Sequence, residues 1–264
     1  MKTLTSTELE RALQAGLKEL RMPAIRACWR EKADMARREA LSFERFLLEL
    51  IEEEQQERHS NRIQRWLRES RLPLEKTLDT FDRGRLPLRL DHHLRVLLEG
   101  GFLDRKENVL VFGPPGSGKT HLVCALGREL IFQRRRVLFY NCSTLVQDLL
   151  WAKQQLRLPK LLKRLSRFEA LIIDDIGYVQ HTREEMEVLF LLLSQRYERG
   201  SVLLTSNLAF SQWERIFKDP MTTAAAIDRL VHHSVILELN VPSYRLEASK
   251  RRQQVQDDAQ SAGS

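Results

Sequence analysis

The feature that most constrains the fold of this chain is the eight-residue sequence GPPGSGKT at positions 113–120. It follows a short apolar run, residues 109–112, and precedes a stretch in which apolar residues recur at helical spacing, residues 122–130. A strand, a glycine-rich loop and a helix in this order make a P-loop, whose backbone surrounds the phosphates of a nucleotide. The sequence therefore predicts an α/β fold built around a nucleotide site.

The residue types in the loop fit this chemistry. The glycines let the backbone wrap so that successive N–H groups and the helix N-terminus point at a phosphate. Lys119 is expected to reach the outer phosphates and Thr120 to ligate magnesium, so the predicted cofactors are ATP and Mg²⁺. The predicted nucleotide-binding residues are Gly113, Pro114, Pro115, Gly116, Ser117, Gly118, Lys119, Thr120 and His121.

Two acids follow another apolar run, residues 171–173. We expect Asp174 to hold the magnesium ion through water and Asp175 to orient the water that attacks the terminal phosphate, which is a hydrolase role. A third run ends near Asn207, whose amide can hold a water without adding charge. The sequence therefore predicts an ATPase with catalytic groups Lys119, Asp174, Asp175 and Asn207.

Arginines that neutralise charge on the transferring phosphoryl group are harder to identify. Two candidates lie downstream of Asn207, Arg229 in the tripeptide DRL at 228–230 and Arg245 in the tripeptide SYR at 243–245. The residues alone do not rank them above Arg196 or Arg199, since most arginines are solvated surface groups.

Five short apolar runs alternate with helical stretches, which predicts a parallel five-stranded sheet flanked by helices. The runs are residues 109–112, 137–140, 171–173, 202–204 and 235–237. The N-terminal leader, residues 7–71, contains almost no glycine and predicts a small all-helical domain. We expect its charged face, which includes Glu54 and Arg58, to be solvated. The predicted divisions are a helical domain at 1–72, a linker and short helix at 73–100, an ATPase domain at 101–249 and a disordered tail at 250–264.

The region between the second and third strands is longer than one helix requires, and Pro159 is expected to open a second helix there. Its stretch 152–168 has basic residues and no acid, in a chain of net charge +7. A solvated amphipathic helix is one interpretation and contact with DNA phosphates is the other. The basic residues are Lys153, Arg157, Lys160, Lys163, Arg164 and Arg167.

The P-loop, the paired acids and the strand end at Asn207, followed by DRL at 228–230 and SYR at 243–245, resemble in this order an AAA+ ATPase of the initiator and helicase-loader group. More narrowly, the chain is similar to the IstB-like helper ATPases of insertion-sequence transposition. The segments that carry this resemblance are LSFE at 41–44, TLDTFD at 77–82, QRYERG at 195–200, TSNL at 205–208 and DRLVHH at 228–233.

The resemblance implies that Asn207 is the sensor-one residue, Arg229 the arginine finger offered to a neighbouring subunit, and Arg245 the sensor-two residue. It also favours DNA contact by the basic helix. The implied function is an ATP-dependent regulator of transposition that oligomerises as a ring or spiral on target DNA, with largely sequence-independent contacts, recruits or stimulates a transposase, and disassembles on hydrolysis. Asp175 stands where the general AAA+ pattern has glutamate, so its role follows less directly.

Three alternatives remain open at this stage. A DnaC-like loader of a replicative helicase shares most of the motifs, a small-molecule kinase shares the P-loop, and a scaffold that binds ATP without hydrolysing it would tolerate the change at Asp175.

Other classes of protein are disfavoured. No apolar run approaches the roughly 20 residues that span a bilayer, and no signal peptide is evident, so we expect a cytoplasmic protein without membrane contact. The widely spaced Cys28, Cys124 and Cys142 are expected to be buried rather than metal-bound. The pairs His92-His93 and His232-His233 are expected to point to different faces, which disfavours metal binding.

Overall fold

A computed structural model of the chain describes residues 5–177, 182–217, 219–244 and 247. The leader folds as three helices, α1 (Ser6–Glu19), α2 (Pro23–Arg38) and α3 (Phe43–Ser70). The described residues form two compact units, one up to Arg65 and one from Trp66 onward, so the boundary lies inside α3. The predicted tail at 250–264 lies outside the described residues.

Helix α2 begins with the help of a carboxylate from α3. Glu54 is buried, and its side chain accepts hydrogen bonds from the N–H groups of Ala24 (2.9 Å) and Ile25 (3.2 Å). Arg58, one helical turn away, donates to the same carboxylate at 2.8 Å. These bonds satisfy N–H groups that the first turn of a helix leaves unpaired. The prediction that this charged face is solvated is therefore wrong for Glu54, which caps α2.

The second unit is built on the predicted sheet. All five strands are parallel neighbours in the order β2-β3-β4-β1-β5, so the chain crosses over between strands that are not consecutive. The fold-class prediction is confirmed. The strands are β1 (Asn108–Phe112), β2 (Val137–Asn141), β3 (Ala170–Ile176), β4 (Ser201–Ser206) and β5 (Ser234–Glu238).

Helices connect and cover these strands, because parallel neighbours need crossover connections. The central strands β1 and β4 are buried at every residue, as expected of a sheet covered on both faces. The helices are α4 (Leu88–Leu98), α5 (Gly101–Asp104), α6 (Lys119–Phe132), α7 (Cys142–Gln154), α8 (Leu158–Leu165), α9 (Arg183–Arg196), α10 (Glu214–Phe217) and α11 (Pro220–Val231). Short 3₁₀ helices occur at Arg83–Arg85 and Phe210–Gln212.

The topology brings the residues of the predicted site together at the carboxyl ends of the strands. Parallel strands present their carboxyl ends on the same side, and β1 and β3 both flank β4. The last residue of β1, Phe112, is in register with Ser206 at the end of β4, and Ile176 of β3 pairs with the same residue. The P-loop, the acids after β3 and Asn207 after β4 therefore leave the sheet side by side, where α/β folds bind ligands.

Candidate nucleotide-binding site

The P-loop runs from the end of β1 to the start of α6 and requires glycine at two points. Gly118, which precedes α6, has φ +93°, and Gly116 has φ +81°, a backbone conformation that costs other residues about 1–2 kcal/mol. Space is also limiting. A Cβ on Gly116 would collide with the side chain of Ser243, and one on Gly118 would lie 3.3 Å from the ring of Phe81.

Lys119 is buried in the mouth of the loop. Its Nζ donates to the carbonyl oxygens of Gly113 (2.8 Å) and Pro114 (3.0 Å). These two carbonyl oxygens hold the ammonium group against the loop, so the side chain of Lys119 does not extend into solvent. A phosphate that enters the loop would meet a cation already positioned, although contact between Lys119 and the outer phosphates stays a prediction.

The two predicted magnesium ligands are hydrogen-bonded to each other. The hydroxyl of Thr120 donates to Oδ1 of Asp174 at 2.9 Å. The carboxylate is 4% exposed, and burial is the main cause of its raised pKa, opposed by the hydroxyls of Thr205 and Thr120. Hard oxygen ligands and an incompletely compensated buried charge are what Mg²⁺ requires, so the donor set fits this ion.

Thr205 joins the two acids and was not assigned a role from the sequence. Its hydroxyl donates to Oδ1 of Asp174 at 2.6 Å and accepts from the N–H of Asp175 at 2.8 Å. Asp175 has φ +60°, an uncommon value for a residue with a side chain, at a register shift between β3 and β4. The turn in the backbone leaves Asp174 buried and places Asp175 on the wall of an adjacent cavity.

That cavity has a volume of about 470 Å³, within the range of small-molecule sites. Predicted site residues that line it are Pro115, Gly116, Gly118, Lys119, Thr120, His121, Asp175 and Asn207. The structure thus brings most of the predicted loop, one acid and the predicted sensor to one space. Asp174 lies just behind the wall, bonded to Thr120.

The remaining wall comes from the segment before the ATPase core. Lys76, Thr80, Phe81 and Asp82 line the cavity, as does Tyr244 from the far end of the chain. The hydroxyl of Tyr244 donates to the carbonyl of Asp82 at 3.1 Å. In the sequence, the segment 77–82 indicated only the family resemblance, and no local pattern predicted that it lines the site.

His121 anchors that segment. Its Nε2 lies 2.9 Å from the carbonyl oxygen of Thr77 and 3.1 Å from the hydroxyl of Thr80, and its ring meets that of Phe81 edge-on at 5.3 Å. His121 therefore has a structural role, and its contact with a nucleotide stays a prediction.

The candidate arginines now separate. Arg196 is 4% exposed, and its guanidinium donates to the carbonyl oxygens of Leu165, Phe168, Glu169 and Ser201 at 2.9–3.2 Å. Burial lowers its pKa to about 10. Arg196 therefore has a structural role and cannot contact a phosphate, so it is no longer an alternative to Arg229.

Arg229 lies on α11, away from the cavity of its own chain. Its Nη1 donates to the carbonyl of Ala225 at 2.9 Å, and its guanidinium lies 4.8 Å from the ring centroid of Phe190. Among the described residues, no arginine lines the nucleotide cavity. Arg245, the predicted sensor two, lies outside the described residues.

The basic stretch forms an exposed surface. Helix α8 buries Leu158, Leu162 and Leu165, and a groove of about 590 Å³ runs between it and the end of α7. Trp151, 62% exposed, lines this groove. All six predicted DNA-binding residues, Lys153, Arg157, Lys160, Lys163, Arg164 and Arg167, are exposed. Lys153 lies 3.6 Å from the carboxylate of Glu187.

The histidine prediction needs a correction. His232 caps α11 and His233 lies in the turn before β5, so neither helix nor strand geometry separates their rings, whose centroids are 4.2 Å apart. With Glu198 they offer ligand atoms within 4.8 Å of one another on an exposed surface. The argument that sequence neighbours point apart is wrong here.

The cysteines mostly follow expectation. Cys124 and Cys142 are buried, and burial raises the pKa of each thiol to about 12, so both stay protonated. Cys28 is only half-buried, contrary to the prediction.

Among the helices that the structure describes, none is long and apolar enough to cross a membrane.

Relatives of the chain are proteins of insertion sequences. Over 257 residues it is 42% identical to an insertion sequence ATP-binding protein of Sinorhizobium fredii, a match that covers 96% of this chain and 86% of the relative. It is 38% identical to the ATP-binding protein of insertion sequence IS21 from Pseudomonas aeruginosa over 239 residues, or 90% of each chain.

Solved structures share the fold at low identity. The DnaC helicase loader superimposes with a TM-score of 0.52 at 20% identity, covering 62% of this chain and 96% of the loader. AMPPCP-bound DnaA from Aquifex aeolicus gives a TM-score of 0.53 at 16% identity, covering 70% of this chain and 56% of DnaA. These likenesses confirm the predicted AAA+ P-loop fold.

The family model of IstB-like ATP binding proteins matches residues 15–252, which is nearly the whole chain. The motifs that carried the resemblance lie within this range, and most of the predicted loop lines one cavity. The chain therefore belongs to the family of IstB-like ATP binding proteins.

Proposed function

We propose that this protein is an ATP-dependent DNA-binding regulator of transposition. ATP would assemble subunits on target DNA, the assembly would recruit or stimulate a transposase, and hydrolysis would release it. Relatives named as insertion sequence ATP-binding proteins support the setting. The same proposal divides the chain into a helical domain at 1–72, a linker and short helix at 73–100, and an ATPase domain at 101–249.

One observation carries the proposal: the position of Arg229. It lies on α11, beside Tyr197 and Met221 and outside the nucleotide cavity, whose described lining contains no arginine. An arginine that stabilises the transferring phosphoryl group must touch it. If Arg229 stabilises a transferring phosphoryl group, that group belongs to the nucleotide of a neighbouring subunit, which would make hydrolysis depend on assembly.

The site residues support hydrolysis chemistry. Thr120 and Asp174 would hold Mg²⁺, which when bound supplies charge neutralisation at the phosphate oxygens. Asp175 would accept a proton from the attacking water, because its carboxylate lines the cavity while its backbone is fixed by Thr205. Asn207, which lines the same cavity, would also hold that water, and Lys119 would stabilise the outer phosphates.

DNA binding is assigned to the basic residues of the α7–α8 surface. Their exposure and the apolar packing of the opposite face of α8 support phosphate contacts, which position a protein on DNA without reading its sequence. Binding is expected to weaken steeply with salt and to strengthen when ATP brings several α8 helices onto one duplex.

Sedimentation of the full chain with duplex DNA tests the proposal. Large nucleoprotein assemblies are expected with ATP and Mg²⁺, and not with ADP, without nucleotide or for Lys119→Ala. Arg229→Ala should retain nucleotide binding and lose DNA-stimulated phosphate release. Arg199→Ala, which changes an exposed arginine that also lies outside the nucleotide cavity, is the matched control and should behave as the wild type. A protein that stays monomeric and off DNA in every condition would refute the proposal.

Helicase loading is the second candidate, since the fold likeness to the DnaC loader favours it. The two functions differ in partner. Stable capture of a replicative helicase, with no effect on transposase activity, would support the loader and exclude the transposition role.

A further inference from the structure

We propose that a second phosphate-binding site lies in a cleft beside β2, an edge strand of the sheet, and that it takes a backbone phosphate of duplex DNA. The cleft has a volume of about 310 Å³. Four arginines line it together with two aromatic rings: Arg71, Arg136, Arg164, Arg167, Tyr140 and Phe168. Arg71 and Arg136 are not part of the basic stretch predicted from the sequence.

Two of the arginines lie against the aromatic rings. The guanidinium of Arg71 is 4.7 Å from the ring centroid of Tyr140, and that of Arg136 is 4.7 Å from the ring centroid of Phe168. Stacking of this kind orients the planar group while leaving N–H donors at its edges, which suits a phosphate. In the described part of the chain, Nε of Arg136 is buried and makes no hydrogen bond.

The charge in the cleft is unbalanced. Glu69 is the one acidic residue in its described lining, and it lies 3.4 Å from Nη2 of Arg136. Burial raises the pKa of Tyr140, and Arg71 and Arg164 lower it again, while Asp148, which accepts a hydrogen bond from the Tyr140 hydroxyl at 3.1 Å, raises it further. Several like charges around one space repel unless an anion joins them, so the cleft is electrostatically suited to a phosphate.

Continuity with the α7–α8 groove favours DNA as the source of that phosphate. Arg164 and Arg167 line both spaces, so the groove and the cleft form one basic surface that extends beyond α8. Successive phosphates of one DNA strand could contact the arginines along this whole surface, whereas a single free phosphate would occupy only the groove or the cleft. The inference rests on the proposed DNA binding and adds to it the edge of the sheet and Arg71.

The test measures affinity for a duplex of random sequence as a function of salt, using the full chain with a non-hydrolysable ATP analogue. Removing one arginine that binds a phosphate should lower the slope of log affinity against log salt by about 0.9. Arg71→Gln with Arg136→Gln should therefore lower the slope by about 1.8, which corresponds to roughly 30-fold weaker binding at about 0.15 M salt. Affinity for the ATP analogue alone should not change.

Three further variants make the outcome specific. Arg89→Gln removes an exposed charge of α4 that lines neither space, and its slope should equal that of the wild type. Lys160→Gln with Lys163→Gln, which line only the α7–α8 groove, should lower the slope independently. Because Arg136 also contacts Glu69 and Phe168, the exposed Arg71→Gln alone is measured too, with an expected decrease in slope of about 0.9.

The results separate the two proposals. If the Arg71 and Arg136 variants match Arg89→Gln while the Lys160 and Lys163 variant loses affinity, the cleft is not a phosphate site and the proposed function stands. If the wild type shows no salt-dependent DNA binding, both proposals fail. A cleft variant that weakens DNA binding without a change in slope would mean that these arginines touch no phosphate, and it would also overturn the inference.

Discussion

Replacing Thr205 with valine should destabilise the nucleotide-free protein by about 2–4 kcal/mol, because two hydrogen bonds of one buried hydroxyl are lost. The bond to Asp174 involves a carboxylate and contributes about 1.5–3 kcal/mol, and the N–H of Asp175 is left without its acceptor, which costs a further 1 kcal/mol or so. Thr205 is fully buried, so water cannot replace either bond in place. Thr120 continues to bond Asp174, which keeps the loss below the upper limit.

Urea denaturation of the full chain, with Thr205→Ser as the control, measures this effect. Serine keeps the hydroxyl and loses one methyl group, at a cost of about 1 kcal/mol. Phosphate release should fall much further in the valine variant than in the serine variant, since Asp175 loses the hydrogen bond that fixes its backbone. Equal denaturation midpoints for the two variants would refute the idea that Thr205 organises the acids.

Three further outcomes are expected. Arg196→Met should lower the free energy of unfolding by at least about 3 kcal/mol, because the buried guanidinium serves four carbonyl groups, whereas Arg199→Met should be near neutral by the same denaturation assay. Gly118→Ala should lose about 1–2 kcal/mol of stability from its left-handed backbone and should weaken ATP binding in a fluorescence titration. The raised pKa of Asp174 means that the folded protein binds this proton more tightly than the unfolded chain does, so its contribution to stability falls as pH rises from the ordinary value of 3.8 through the folded value. Without nucleotide, Asp174→Asn should therefore be more stable than the wild type at neutral pH, and denaturation midpoints should converge as pH falls.

The sheet was predictable because its strands are short apolar runs between helical segments, and burial on both faces enforces that pattern. All five runs became strands of one parallel sheet. The P-loop was predictable for a different reason. Local backbone geometry requires its glycines and phosphate chemistry requires Lys119, so the motif consists of adjacent residues that can be recognised without knowing any long-range contact.

What escaped prediction depends on contacts between distant segments. Thr205 acquires its role only from the register between β3 and β4, including the shift after Ile173. The sequence around Glu54 predicts a surface acid, but in the fold α3 places its carboxylate at the start of α2. Arg196 reads as a surface cation, and nothing in its sequence neighbours indicates that four carbonyl groups surround it. Local patterns do not specify such pairings, because each is decided by how whole elements pack.

The buried guanidinium of Arg196 also affects how the protein should respond to ionic strength. Solvent-exposed charges farther apart than about 8–10 Å are screened at physiological salt, and buried groups are screened far less. Among the described residues, Arg196 donates to backbone carbonyl oxygens from the end of α8 and the starts of β3 and β4. A high-salt wash during purification should therefore strip nucleic acid from the basic surface of α8 while this junction stays intact, and the recovered protein should bind again after dialysis.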